Sequence, residues 1–257
     1  MVAESVREVG TGHFIYQSAQ IGGSRGVLSV GGKRAIEERI AELHLDATIL
    51  RPAWFMDNFL TYFPVTENDG TLVVAMAMPT DVPLALVCSD DIGRAAAAVF
   101  ANPDAYRNAE IDLVGDVGST AQMAATIGEI AGRPAVAVEV PMAAIEEHWP
   151  QGVDLYKWLA TKPAENDTGP LTALVGSPIG FRAWAQEKLA PRPAGLIGVF
   201  RYRGDGTGYG LTRPFFDYMN RSAWATYSID SPGRCSNSAQ AWGSLATPSS
   251  MAVCVGQ

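Results

Sequence analysis

An α/β fold built on a parallel sheet is the architecture this sequence predicts, and three observations predict it. Ile36, Ile40 and Leu43 recur at i, i+4 and i+7 while Lys33, Arg34, Glu37, Glu38 and Glu42 fill the positions between, which marks a surface helix lying on a sheet. The unbroken apolar run Ala47, Thr48, Ile49, Leu50 follows within a few residues, as expected of a strand covered on both faces. Helix and strand patterns then alternate along the chain instead of segregating into separate halves.

Taken in order, Glu4 to Glu8 reads as the last turns of a helix stopped at Gly10, and His13 to Tyr16 as a strand. Gln17, Ser18 and Ala19 end that strand, and the loop IGGSRGVLSVGG leads into a helix opening at Lys33. Gly22, Gly23 and Gly26 do not meet the G-x-G-x-x-G spacing, and no acidic residue ends a second strand at the expected distance. The loop therefore reads as a crossover, not as a dinucleotide fingerprint. The next strand is expected to end at Arg51, because Pro52 has no N–H with which to continue a ladder. Ligands of open α/β sheets bind beyond the carboxyl ends of the strands, so Pro52 to Asn58, with Phe55, Met56 and Asp57 between, is where a small molecule would be touched.

A short helix is expected after Asn58, then a turn at Asp69-Gly70, a strand from Thr71 to Met76 and another from Leu84 to Cys88. Ser89, Asp90 and Asp91 offer caps for a helix that runs through four alanines to Phe100, with Pro103 as its stop. The two aspartates read as caps and not as a catalytic pair. Glu110 to Val114 alternates as a strand, Ser119 and Gln122 form a capping box for a helix closed by Gly132, and Ala135 to Val140 is a further strand. Helical spacing lies on both sides of Pro150, which must break it.

Composition narrows the class. With 257 residues, 47% of them apolar, the chain suits one large or two small domains. A net charge of −8 without any Lys/Arg cluster argues against nucleic acid or an anionic membrane as partner and leaves small molecules. No apolar run approaches the roughly 20 residues of a membrane span, and MVAESVREVG has no signal-peptide pattern, so a cytoplasmic protein is expected. Cys88, Cys235 and Cys254, and His13, His44 and His148, are scattered too widely for a disulfide framework or a metal site. After residue 189 the character changes: the last 68 residues hold nine glycines and six arginines but no lysine. They carry +3 against −11 for the preceding part. Residues 190–257 are expected to form a disordered or weakly attached tail, or to come from a shifted reading frame.

Four phrases, HFIYQSA, GKRAIEERIAE, TILRPAWFMDNFL and VCSDDIGRAAAAVFANPDAY, stand in an order that resembles the NmrA-like family, an atypical branch of the short-chain dehydrogenase/reductase superfamily. DTGPLTALVGSPIGFRAWAQEKL is similar to that family's C-terminal segment, with Trp184 as its closing tryptophan. The resemblance spans residues 1–189. It implies the C-terminal part of a Rossmann-like doubly wound parallel sheet plus a small α/β substrate lobe. The Gly-rich half of the NAD(P)-binding domain is expected to be missing, which makes this a truncated member or an inactive fragment. Carried over by position, Lys33 matches the family lysine near the cofactor ribose, and Phe55, Met56, Asp57 and Asn58 match the loop against the nicotinamide. Gln17, Ser18 and Pro52 would line the same crevice. The implied cofactor is NADP(H) in preference to NAD(H), and the implied activity is NADPH-dependent reduction of a small substrate such as a quinone. One departure bears on mechanism: reductases of the superfamily use Tyr-x-x-x-Lys, and four residues before Lys33 stands Ser29. That leaves a non-catalytic redox sensor, acting through a protein partner or as a homodimer, as the alternative.

Overall fold

In the computed structural model, residues 2–10, 12–20, 28–161 and 167–189 are described, with three short strands at 200–201, 227–229 and 235–237. Most of the expected tail and the glycine run at 21–27 lie outside the described residues.

The chain opens with helix α1 (Val2–Val9), ended by Gly10 at φ 71°, and strand β1 (Phe14–Gln17). Helix α2 (Leu28–Glu42) and strand β2 (Ala47–Pro52) follow. β2 lies between β1 and strand β7 (Glu110–Leu113), and all three run parallel. Side chains alternate along these strands, so each strand feeds two cores. Phe14, Tyr16, Ala47 and Ile49 pack under Ala3 and Val6 of α1, Ile40 of α2 and Leu43 just after α2. Ile15, Leu50 and Leu113 pack on the other face against Ile92, Ala95 and Val99 of helix α3 (Ser89–Ala101) and Leu171 of helix α7 (Gly169–Val175). Helices thus cover both faces of a parallel sheet, the doubly wound arrangement expected. Leu50 is 1% exposed and Leu113 0%, and burial of such side chains contributes roughly 1.5–3 kcal/mol each.

A second body of structure follows β2. Strand β3 (Trp54–Phe55) pairs in parallel with β6 (Pro83–Val87), which in turn pairs antiparallel with β8 (Asp116–Ser119). Strands β4 (Thr66–Asn68) and β5 (Thr71–Met76) form a hairpin over Asp69 and Gly70, both at positive φ (47° and 82°), the signature of a two-residue primed turn. β5 also pairs with β9 (Ala135–Glu139). Against these strands lie helices α4 (Thr120–Ala131), α5 (Met142–His148), α6 (Val153–Thr161) and α8 (Phe181–Lys188). Their shared core is rich in methionine and aromatic side chains, among them Met56, Phe59, Phe63, Met76, Tyr156 and Trp184.

Four local expectations are corrected. α2 begins at Leu28 and not at Lys33, running through Gly31 and Gly32, neither of which has a neighbouring side chain to clash with. β2 continues to Pro52: the proline stands last in the strand, and its carbonyl still accepts the N–H of Gln20 at 2.9 Å. β4 and β8 were not expected, since neither alternates; their partners β5 and β6 define them. Ser89, Asp90 and Asp91 do not cap α3. The Ser89 N–H donates instead to Oδ2 of Asp57 at 2.8 Å, and the Asp91 carboxylate accepts from the Ile179 N–H and from Arg94 one turn on, not from an N–H of its own first turn. The Ser119–Gln122 capping box of α4 forms as expected, in both directions.

Asp91 closes a long-range contact. Its carboxylate, 0% exposed, accepts the N–H of Ile179 at 2.6 Å and pairs with Arg94 at 2.7 Å. Arg94 in turn donates to the carbonyls of Val175 and Ser177. Asp116 accepts the N–H of Phe181 at 2.7 Å, so two aspartates hold the link from α7 to α8. Replacing Asp91 by Ala strands the Ile179 N–H and should cost about 2–3 kcal/mol in urea denaturation. Asp90→Ala, at a carboxylate 58% exposed and 3.5 Å from Lys188, should leave the midpoint unmoved.

Candidate functional site

β1 and β2 run parallel, so both leave the sheet at its carboxyl edge, and their pairing extends past the formal end of β1. The Ser18 N–H donates to the Leu50 carbonyl at 2.8 Å, and Gln20 N–H to that of Pro52. Gln17, Ser18 and Pro52 are thereby brought side by side. Lys33 joins them from α2: its ammonium donates to the Ser18 carbonyl at 2.9 Å, and the residue is only 8% exposed. One turn on, Glu37 receives Arg51 through both carboxylate oxygens, Nε to Oε1 at 3.2 Å and Nη2 to Oε2 at 2.7 Å. Arg51 also reaches Glu110 at 2.8 Å, and these partners hold its guanidinium above the ordinary range. α2 is therefore tied to β1 through Lys33 and to β2 through Glu37.

The remaining candidates follow β2. The Ala53 N–H donates to the Leu113 carbonyl at 3.0 Å, and β3 then carries Trp54 and Phe55 alongside Leu86 and Val87. Phe55 is partly buried against the α3 side of the sheet. Met56 is 0% exposed inside the methionine-rich core. Asp57 binds the first N–H of α3 with its carboxylate. Asn58 accepts the N–H of Thr61 and of Phe63 with its backbone carbonyl, closing a 3₁₀ turn over Met56–Leu60. Met56 and Asp57 thus have structural partners of their own, and Phe55 is the side chain of this loop that leans towards the sheet.

Electrostatics favour a donor-rich wall. Burial pushes the Lys33 ammonium down to about 8, against the opposing charge of Glu37. The Tyr16 phenol, buried in β1, is pushed up to about 12, first by burial and then by Glu37, and its OH has no hydrogen-bond partner among the described residues. Tyr16 therefore holds its proton more firmly than a free phenol near neutral pH. Ser29 falls in the first turn of α2, so the missing phenol of Tyr-x-x-x-Lys is not restored from the neighbouring strand. Two contributors to this edge carry no sequence motif. Arg51 has only its place before Pro52 to mark it, and Gln20, whose side-chain Nε2 is buried without a partner among the described residues, has no pattern at all.

The lysine gives a pH test with a definite sign. Its proton is held to 10.5 in the open chain but only to about 8 in the folded one, so between those values the unfolded state binds more protons and stability rises with pH. Below that window the cost of burying the charge is fully present. In denaturant titrations from about pH 7.5 to 10, wild type should gain about 2–3 kcal/mol relative to Lys33→Met, which lacks the titrating group. A constant difference across the window would show that the ammonium is not desolvated.

This edge can be set beside known proteins. A nucleoside-diphosphate-sugar epimerase from Staphylococcus aureus is 18% identical with a TM-score of 0.62, over 72% of this chain and 68% of its own. NmrA, a negative transcriptional regulator solved in complex with NAD, is 21% identical with a TM-score of 0.56, over 72% and 67%. An NADPH-dependent quinone oxidoreductase from Escherichia coli is 19% identical with a TM-score of 0.62, over 72% and 70%. At such identities the likeness establishes the shared fold. No curated protein matches the sequence significantly. The sequence model of the NmrA-like family matches residues 1–164, well over half of the chain, and the protein therefore belongs to the NmrA-like family.

Proposed function

We propose that the carboxyl edge around Lys33 and Ser18 is the nicotinamide-side wall of a dinucleotide site, taking NADP(H) in preference to NAD(H), and that the protein reduces a small substrate such as a quinone. The observation that carries this reading is the Lys33 ammonium, buried on α2 and fixed on the Ser18 carbonyl where β1 and β2 leave the sheet together. Carboxyl edges of parallel sheets are where such ligands lie. The residues present fit the nicotinamide riboside half: Lys33 offers a cation to ribose hydroxyls, Pro52 a rigid turn, and Phe55 an apolar surface for a ring. A glycine cradle for the pyrophosphate is not found among the described residues. NmrA was solved with NAD and the E. coli quinone reductase is NADPH-dependent, so relatives of this fold use either cofactor.

The dinucleotide, when bound, supplies the hydride. The protein's part is to hold and shield. The ammonium on Ser18 positions a ribose from one side, while the loop at Met56–Leu60 is fixed by Asp57 on α3. The aromatic stack of Trp54, Phe59, Phe181 and Trp184, with Trp54 and Phe59 ring centres 5.1 Å apart, keeps water from the lobe side. A second reading is favoured by a specific observation: Ser29 precedes Lys33 where the reductases carry tyrosine, and the buried Tyr16 is pushed up to about 12. On that reading the site senses the nicotinamide redox state for a protein partner without turnover.

Saturation-transfer NMR of the 257-residue chain with NADPH, followed by NADPH oxidation against a panel of quinones, separates these readings. Transfer to the nicotinamide and its ribose should exceed transfer to adenine, with a dissociation constant of about 1 mM or tighter, equivalent to roughly 4 kcal/mol. Oxidation on adding quinone supports the reductase, and binding without oxidation supports the sensor. No transfer at all would remove the dinucleotide reading.

A further inference from the structure

Gln20 joins this edge through its backbone alone. Its backbone is fixed: the N–H donates to the Pro52 carbonyl at 2.9 Å, one rung beyond the Ser18–Leu50 bond, so its Cα sits at the exit of β1 beside the exit of β2. Its side chain is not satisfied. Nε2 is buried and meets no acceptor among the described residues. An amide N–H in that position forfeits its hydration without a bond among the described residues, a penalty of the size that proteins keep where a ligand completes the contact. Tyr16 OH is also buried without a partner among the described residues, but it lies inside β1 beside Glu37, under α2, and not beyond the strand end. Gln20 is placed differently. It stands two residues beyond the carbonyl that anchors Lys33, and its N–H is bonded to Pro52, from which the loop after β2 leaves the sheet.

We infer that the Gln20 carboxamide donates a hydrogen bond to an uncharged oxygen of the bound nicotinamide riboside, a ribose hydroxyl or the ring carboxamide carbonyl, and so acts with Lys33 as a specificity-determining pair for that half of the dinucleotide. The inference rests on the dinucleotide reading proposed above. It assigns the two donors different tasks. Lys33 supplies charge and is fixed before the ligand arrives, whereas the amide of Gln20 is held ready and unpaired until it does. A group kept for a ligand at the expense of the fold leaves a signature that a purely structural residue does not: its removal weakens binding without weakening the protein.

The experiment uses the full chain and its Gln20→Leu variant, with Gln20→Met as a second apolar replacement of similar length. Each is titrated with reduced nicotinamide mononucleotide and with 2′,5′-ADP, the two halves of NADPH, and each is melted without ligand. The expected result is a roughly fivefold to tenfold loss of affinity for the mononucleotide in both variants. Affinity for 2′,5′-ADP should be unchanged, and the melting temperature equal to or above that of wild type. Unchanged mononucleotide affinity overturns the inference, as does a lowered melting temperature with binding intact, which would make Gln20 structural. If wild type itself binds neither mononucleotide nor NADPH, the dinucleotide reading falls first. That outcome is distinguished by being seen before any variant is made.

Discussion

Parallel pairing of β1 with β2 is the constraint from which the rest of this structure follows. The register sets Phe14 beside Ala47 and Gln17 beside Leu50, and the ladder runs on through Ser18 and Gln20 to Pro52. Because the strands run the same way, their exits must share one edge. Because side chains alternate, one face must be closed by α1 and α2 and the other by α3 and α7. α2 cannot slide on this surface: Lys33 binds the carbonyl at the end of β1, and Glu37, one turn later, grips Arg51 at the end of β2. A buried ammonium is costly unless it is well partnered. Its position at the strand exits, and not in mid-sheet, is what turns a packing contact into the candidate site.

A second set of contacts fixes the loop that completes this edge. Asp57 binds the start of α3, Asp91 in the first turn of α3 binds Ile179, and Asp116 binds Phe181 at the start of α8. Phe181 stacks on Trp184, and both rings meet Phe59, which returns to the loop where Asp57 stands. The circuit is closed. Three carboxylates on backbone N–H groups and one aromatic cluster join the 3₁₀ turn, α3 and α8, so displacement of any one of them strains the other two. For a site that binds or senses a ligand, this is the physical route from the loop after β2 to the surface of the lobe.

The parts of the fold that were legible from sequence are those decided locally. The stripe Ile36, Ile40, Leu43 located α2 on the sheet, the apolar run after the Asp69-Gly70 turn gave β5 its bounds at Thr71 and Met76, and the pairs Asp69-Gly70 and Ser119/Gln122 marked a turn and a cap by their own chemistry. What escaped was decided at a distance. β4 reads Thr-Glu-Asn and β8 reads Asp-Val-Gly-Ser, and neither has a pattern apart from the strand it pairs with. The aspartates before Ile92 sit where caps belong, yet α3 is capped by Asp57, and Asp91 serves a residue 88 positions away. The site divides in the same way. Lys33, Ser18 and the Phe55 loop came from a family resemblance spread over several phrases. Gln20 and the Arg51–Glu37 pair came only from coordinates, because a single amide or a single ion pair leaves no periodic trace.

In the proposed function one edge of the sheet, and no other surface, receives the nicotinamide end of a ligand. Backbone amide shifts of the ¹⁵N-labelled chain, followed as NADPH is added, test this most directly. Perturbations should gather at Ser18, Gln20, Lys33 and Phe55 to Asn58, with the opposite edge at His13, Asp46 and Asn108 silent. Perturbations gathered at that opposite edge, or spread evenly over the surface, would contradict it.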